Sequence, residues 1–117
     1  MTQPPINVIF AQAFLSDLKR LKKKYRHVID DVDILVESLR NGETPGDQVP
    51  NVGYNAYKVR LKSTDLTKGK SGGFRVIYYL QTNPERILLT IYVKTERTDI
   101  SPIEIANLIS EILSSDT

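Results

Sequence analysis

The spacing of the apolar residues changes twice along the chain, and this change limits the folds that the sequence can adopt. From about Gln12 to Leu39, apolar residues recur at intervals of three and four, as on one face of an α-helix. Between Ala56 and Lys94 they alternate with polar residues or form short β-branched and aromatic runs, which is typical of strands. After Ser101 the helical spacing returns. The pattern therefore predicts an α+β fold.

The predicted order of elements is β-α-α-β-β-β-α, in a single domain over residues 1–117 after a disordered lead at 1–5. A turn-rich segment at 41–54 is expected to be a loop, and Asn83-Pro84 to join the last two strands. Ser101 is expected to cap the last helix, with Glu104 completing a capping box. We expect a small, mostly antiparallel sheet with the helices packed on one face. The predicted strands are Ile6–Phe10, Ala56–Lys62, Phe74–Gln81 and Arg86–Lys94, and the helical stripes are Phe14, Leu18, Leu21, Tyr25, then Val28, Val32, Leu35, Leu39, then Ile105, Leu108, Ile109, Ile112.

Composition excludes several kinds of chemistry. The 117 residues contain no cysteine, so a disulfide framework, a thiol nucleophile and a cysteine zinc site are excluded. His27 is the single histidine and falls at a helix junction, where an exposed or capping role is expected. We expect no metal and no cofactor. The chain has no apolar run of membrane-spanning length and no secretory signal pattern, so we expect a cytoplasmic protein without a membrane partner.

The net charge of +2 is an average over segments of opposite sign. Residues 19–27 carry six cations and no acid, and residues 54–75 have a net charge of +5. Residues 28–53 have a net charge of −5, and the tail at 98–117 has −4. Such segregation produces a local field at the protein surface.

One face of the predicted sheet collects much of this positive charge. If Tyr57, Val59 and Leu61 face the helices, the alternate residues project to the other side. An antiparallel sheet often shows a polar side to water, but three consecutive outward cations on one strand favour a polyanionic partner. Arginine and lysine neutralise phosphates, and tyrosines stack on bases. The residues expected on this face are Lys58, Arg60, Lys62, Arg75, Tyr79, Leu88, Thr90, Tyr92 and Lys94.

The segment Thr64–Gly73 is a second candidate for anion binding. Its glycines would let backbone N–H groups approach an anion, and Lys68 and Lys70 add charge. The spacing does not fit a P-loop, so nucleotide hydrolysis is not predicted. A flexible hairpin connection is the alternative interpretation.

Three strings in the second half of the chain resemble the RelE/ParE toxin superfamily, and most closely its RelE/HigB branch. They are Tyr57-Lys-Val-Arg-Leu61, Lys68-Gly-Lys-Ser-Gly-Gly-Phe-Arg-Val-Ile-Tyr-Tyr79 and Leu89-Thr-Ile-Tyr-Val-Lys-Thr-Glu-Arg-Thr-Asp-Ile100. The resemblance covers about residues 54–112. It implies the toxin of a type II toxin–antitoxin module, an endoribonuclease (mRNA interferase) that inhibits translation.

The resemblance also implies a mechanism and partners. Members of the branch cut mRNA in the A site of the 70S ribosome without a metal, as the 2′-hydroxyl attacks the neighbouring phosphate and the leaving 5′-oxygen is protonated. A cognate antitoxin, expected to be of the helix-turn-helix type, normally covers the site. Contact with operator DNA is expected only through that antitoxin.

Carried over by residue, the resemblance implies a catalytic set, which is Lys58, Arg60, Arg75, Lys94 and Glu96. Together with the cationic side of the sheet and the segment Thr64–Gly73, it predicts an RNA-binding set, which is Lys62, Lys68, Lys70, Tyr79, Tyr92 and Arg97. Arg75 matches the arginine that contacts the scissile phosphate.

The chain departs from the RelE pattern at three positions. Thr95 replaces a catalytic arginine, Ser101 a catalytic tyrosine, and Arg60 a lysine proposed as general base. Arginine holds its proton too tightly to serve easily as a base. The general acid and base therefore stay open among Lys58, Lys94, Glu96 and Tyr92.

Two alternatives stand beside this interpretation. One is a ParE-like inhibitor of DNA gyrase that cuts no RNA, although ParE-type chains tend to lack the cationic set. The other is a catalytically inactive relative that only binds its antitoxin.

Overall fold

The computed structural model describes residues 6–65, 73–81, 85–97 and 99–114. Within these ranges it confirms the α+β fold and adds one two-residue strand to the predicted order. The elements are β1 (Asn7–Phe10), α1 (Gln12–Lys22), α2 (Val28–Arg40), β2 (Asp47–Gln48), β3 (Ala56–Leu61), β4 (Phe74–Leu80), β5 (Glu85–Val93) and α3 (Pro102–Ser114). The lead at 1–5 and the Asn83-Pro84 turn lie outside the described residues.

The strands form one five-stranded sheet in the order β1-β5-β4-β3-β2. All neighbours are antiparallel except β1 and β5, which pair in parallel. A mostly antiparallel sheet was predicted, and the short edge strand β1 was predicted as well. The strand β2 was not predicted and lies within the segment expected to be a loop. Its two residues pair along the edge of β3, and a strand this short has no alternating pattern in the sequence.

The helices α1 and α2 pack on one face of the sheet and enclose the larger core. Phe14 and Leu21 from α1 and Leu39 from α2 are buried, as their helical spacing predicts. They meet alternate residues of the central strands, among which Phe74 and Val76 are also buried. Burial of large aliphatic and aromatic side chains contributes ~1.5–3 kcal/mol each. This core fixes the hairpin of α1 and α2 on the sheet.

The helix α3 packs on the opposite face, so the prediction that all helices cover one face is wrong. Ile105 and Ile109 are fully buried against Ile77 and Leu89 of the central strands. These strands carry apolar residues on both faces, and a second apolar face needs its own cover. The sheet therefore lies between two cores, and α3 leaves part of its face uncovered.

A β-bulge in β5 reverses the side-chain directions predicted for the residues that precede it. Tyr78 pairs with Leu88 and Ile77 pairs with Thr90, so Leu89 has no partner in β4. Strict alternation assigned Leu88 to the cationic side, but Leu88 lies in the core under α1 and α2. The extra residue changes the register, and Leu89 enters the core under α3 instead.

Two side-chain contacts tie the end of β3 to the start of α2. The buried carboxylate of Asp31 accepts hydrogen bonds from the backbone N–H and the hydroxyl of Thr64, at 2.9 and 2.5 Å. Asp65 accepts one from the backbone N–H of His27 at 2.8 Å and lies 2.8 Å from its ring Nδ1. His27 is the residue directly before α2, but its exposed side chain pairs with Asp65 rather than capping the helix.

Candidate functional site

A row of polar side chains crosses the sheet on the face that α3 only partly covers. Arg60 of β3 lies directly opposite Arg75 of β4, and Arg75 lies directly opposite Tyr92 of β5. Lys58 lies one row further along, opposite Ile77. Directly paired side chains in a sheet have Cβ atoms ~5 Å apart. We call Lys58, Arg60, Arg75 and Tyr92 the cationic face, and their common side is the one that the alternation predicts.

Arg75 is the most enclosed cation of this face. Its side chain is half-buried, and its Nη1 is fully buried without a hydrogen-bond acceptor among the described residues. Its pairing with Arg60 places two positive charges side by side, an arrangement that destabilises a sheet. A buried guanidinium N–H without an acceptor is a strong site for an anion, because the arginine fork matches the oxygens of a phosphate.

Asp99 connects the other two members of the cationic face. Its Oδ1 accepts hydrogen bonds from the backbone N–H of Ile100 at 2.8 Å, Lys58 Nζ at 3.1 Å and the Tyr92 hydroxyl at 3.4 Å. The bond from Ile100, and then the one from Lys58, holds the pKa of Asp99 below its ordinary value. Asp99 is therefore ionised near neutral pH and fixes the position of the Lys58 ammonium.

Tyr92 is protonated under the same conditions. Burial, and then the charge of Asp99, raises the pKa of its phenol above the ordinary value. Its ring lies 5.7 Å from the guanidinium carbon of Arg97, a cation–π contact. Tyr92 can therefore donate a proton, whereas it cannot accept one at neutral pH.

Arg97 is held by several partners. Its Nε donates to the Asp99 carbonyl at 3.1 Å, and its Nη2 donates to Glu104 of α3 at 2.8 Å. Glu104 in turn has its backbone N–H bonded to the Ser101 hydroxyl at 3.2 Å, which confirms Ser101 as a helix cap. The structure thus joins Arg97, predicted to bind RNA, to the cationic face through Tyr92.

The remaining predicted residues lie in other surroundings. Glu96 is bonded at 2.5 Å to Arg20 of α1, and the exposed Lys94 follows the end of β5. Lys62 is exposed just after β3. Tyr79 is half-buried against Tyr54, with ring centroids 5.9 Å apart, and lies ~13 Å along β4 from Arg75. Lys68 and Lys70 lie outside the described residues.

Sequence reasoning did not select Asp99 or Arg20. Asp99 lies two residues before the Ser101 cap, so its position there resembled ordinary helix-start chemistry. Its partner Lys58 is far away in sequence, and only the fold brings the two together. Arg20 was part of a basic run that is typical of a solvated helix face.

Within the parts of the chain that the structure describes, no cluster of three or more His, Cys, Asp or Glu side chains could hold a metal ion. None of the described helices has the length and apolar character needed to cross a membrane.

The family comparison decides the class of protein. A family model described as the ParE toxin of the type II toxin–antitoxin system parDE matches residues 8–99. The chain belongs to the RelE/ParE superfamily of type II toxins. Membership in a toxin–antitoxin family implies a cognate antitoxin as partner.

A solved structure agrees with the fold of this RelE/ParE protein. The toxin RelE of E. coli, solved as a double mutant in the free state, aligns with a TM-score of 0.51 at 15% sequence identity. The alignment covers 97% of this chain and 100% of the RelE chain. At this identity the likeness is evidence for the fold. A comparison with curated protein sequences found no significant match.

Proposed function

We propose that this RelE/ParE toxin is a ribosome-dependent endoribonuclease that cuts mRNA in the ribosomal A site. The observation that carries the proposal is Arg75, whose buried Nη1 lacks an acceptor among the described residues while the side chain lies between Arg60 and Tyr92. A scissile phosphate would supply that acceptor. The charge that develops on its oxygens in the transition state would be stabilised by fixed cations.

Each member of the cationic face has a role in this proposal. Arg75 and Arg60 bind the phosphate oxygens and stabilise the negative charge as the 2′-hydroxyl attacks. Lys58, positioned by Asp99, lies beside them as a third cation. Tyr92 donates its phenolic proton, which its raised pKa keeps on the oxygen at neutral pH.

The proton-transfer candidates separate on geometry. Glu96 is paired with Arg20, and Lys94 lies beyond the end of β5, whereas Lys58 and Tyr92 share the Asp99 carboxylate. Two groups that share one acceptor are well placed to act on the same phosphate. We therefore propose Tyr92 as the general acid that protonates the leaving 5′-oxygen, and Lys58 as a cation that stabilises the attacking 2′-oxygen, whose proton passes to water.

The test is induction of the toxin alone in bacteria, with the 5′ ends of ribosome-bound mRNA mapped. Wild type should produce new ends within translated codons, and Arg75→Ala should abolish them. Arg40→Ala is the matched control, because Arg40 is an exposed arginine on α2, away from the cationic face. Intact mRNA with continuing translation in wild type would reject the proposal.

The second candidate is inhibition of DNA gyrase, which the ParE description of the matching family model favours. Purified toxin would then inhibit supercoiling by gyrase without cutting RNA. An inactive relative would do neither and would still bind its antitoxin. The supercoiling assay, run beside the mRNA mapping, separates the three.

A further inference from the structure

A cavity of about 270 Å³ opens beside the cationic face. It is lined by Ile77 of β4 and by Ile100 and Pro102 at the start of α3. The segment 47–51 also lines it. Lys58 and Asp99 lie at its edge, so the cavity and the cationic face share the same ammonium group.

The size and lining of the cavity limit what it can hold. Pockets for drug-sized molecules run from ~300 to 1,000 Å³, so a cavity of about 270 Å³ suits a single small ring system. The walls are mostly apolar, and the rim carries the side-chain amides of Gln48 and Asn51. An apolar slot with amides at its edge is the chemistry that binds a flat nucleobase, since amides offer a donor and an acceptor together.

Asn51 is held in an unusual conformation at this rim. Its φ of 66° is the one positive value among the described residues other than glycine. Asparagine adopts this left-handed region more readily than most residues. Gln48 donates its amide N–H to Asn55 at 2.8 Å, whereas the exposed side chain of Asn51 has no hydrogen-bond partner among the described residues.

The segment is fixed against the sheet at Lys58. Gly46 has a φ of 93°, and a Cβ at this position would lie 2.3 Å from the Lys58 carbonyl oxygen. Only glycine allows so close an approach. The rim that carries Asn51 is therefore anchored to the strand that carries Lys58 and Arg60.

We propose that this cavity takes one base of the RNA strand whose phosphate lies on the cationic face, and that Asn51 reads the edge of that base. The inference rests on the proposed function and deepens it. It makes Asn51 a specificity-determining residue and leaves the cleavage chemistry to the cationic face. Lys58 lies between the two, where a base and its own phosphate would meet.

The experiment maps cleavage on ribosome-bound mRNA for Asn51→Gly and Asn51→Asp. Asn51→Gly tolerates the left-handed backbone and removes the amide. Wild type should prefer certain bases at one position of the cleaved codon, and both variants should reduce that preference by about 5- to 100-fold while still cutting. The control is Asn107→Asp, which makes the same substitution as Asn51→Asp at an exposed position of α3. It should behave as wild type.

The pocket and the nuclease proposal can fail separately. Cleavage by both variants with the wild-type base preference would overturn the pocket and leave the nuclease proposal intact. If the Asn51 variants changed only the affinity for the antitoxin, the pocket proposal would also be overturned.

If wild type cuts no RNA, NMR titration of the toxin still tests the pocket. The probes are the four nucleoside 3′-monophosphates, with inorganic phosphate as the control. Shifts of the Asn51 and Ile100 amides with the nucleotides alone would support base binding, and no shifts, or equal shifts with phosphate, would overturn it.

Discussion

Arg75 has neighbours that do not stabilise its charge. Arg60, its partner in β3, carries the same charge and repels it. Tyr92, its partner in β5, is buried and carries no negative charge at neutral pH. The Nη1 of Arg75 lacks an acceptor among the described residues. A residue kept under such conditions contributes little to folding. The loss of stability that this buried charge causes is explained if the same guanidinium binds the substrate.

We therefore predict that Arg75→Ala abolishes toxicity without loss of stability. Removing one of two adjacent like charges should raise the free energy of unfolding by up to about 1 kcal/mol. Urea denaturation followed by circular dichroism measures it. A clear drop in stability would mean that Arg75 is a structural residue, and loss of toxicity would then say nothing about phosphate binding.

The Asp99 carboxylate contributes to the raised pKa of Tyr92. Burial is the main reason for the raised pKa of Tyr92, and the charge of Asp99 adds to it. In Asp99→Asn we expect this pKa to fall, because the repulsion between carboxylate and phenolate is removed. It should stay above the ordinary value of a tyrosine, since burial remains. NMR titration of ring-labelled tyrosine, with Tyr92→Phe to assign the signal, measures the shift; an unchanged pKa would contradict the contact.

At the scale of elements, the sequence predicted what depends on local chemistry. The apolar stripes that contain Phe14 and Leu35 have the spacing of a helix face, so they predict helices without knowledge of the rest of the fold. The Ser101 cap depends on two residues that are three apart in sequence. The predicted strand bounds differ from those observed by one residue, whereas α1 ends at Lys22, before Tyr25, the last residue of its predicted stripe. Local pattern was sufficient for these because each element carries its own start, end and apolar face.

Features that depend on contacts between distant residues could not be predicted. The bulge at Leu89 has no signature in the sequence, because the surrounding residues are apolar and could face either side of the sheet. The placement of α3 depends on its packing in one core with Ala56 and Ile77, which lie far from it in sequence. The bond from Asp99 to Lys58 joins residues 41 positions apart. The candidate site was therefore predicted in its cations and missed in the carboxylate that positions them.

The contact between α2 and the end of β3 should make stability depend on pH. Hydrogen bonding to Asp65, and then its charge, raises the pKa of His27, while the bond to His27 lowers that of Asp65. Arg26 opposes the shift at His27, and Asp30 supports it. A raised histidine pKa stabilises the fold below ~6.5 and loses its effect as pH rises through the folded value.

We predict that the urea midpoint falls as the pH rises from about 6.5. The fall should be absent in His27→Gln, which keeps the backbone N–H to Asp65 and removes the one titrating histidine of the chain. Asp65→Asn should flatten the same region. An equal decline in wild type and His27→Gln would place the effect at another group.

At the scale of the whole molecule, the sheet separates two cores of unequal size. The core under α1 and α2 is closed by two helices and is the larger, whereas α3 covers its face alone through Ile105 and Ile109. The start of α3 also forms a wall of the cavity and, through Glu104, holds Arg97 near Tyr92. The less firmly covered side of the sheet is thus the side that carries the candidate site.

We predict that the two cores respond differently to the loss of buried volume. Leu21→Ala, on the α1 side, should lower global stability by ~2–5 kcal/mol, and the amides of β4 and α3 should lose protection from hydrogen exchange together. Ile109→Ala should release α3 first, so that its amides exchange faster while those of Val76 and Tyr78 stay protected. Because α3 carries a wall of the cavity, Ile109→Ala should also weaken the base preference. If β4 lost protection equally in both variants, the molecule would unfold as one unit, and the α3 side could not open by itself.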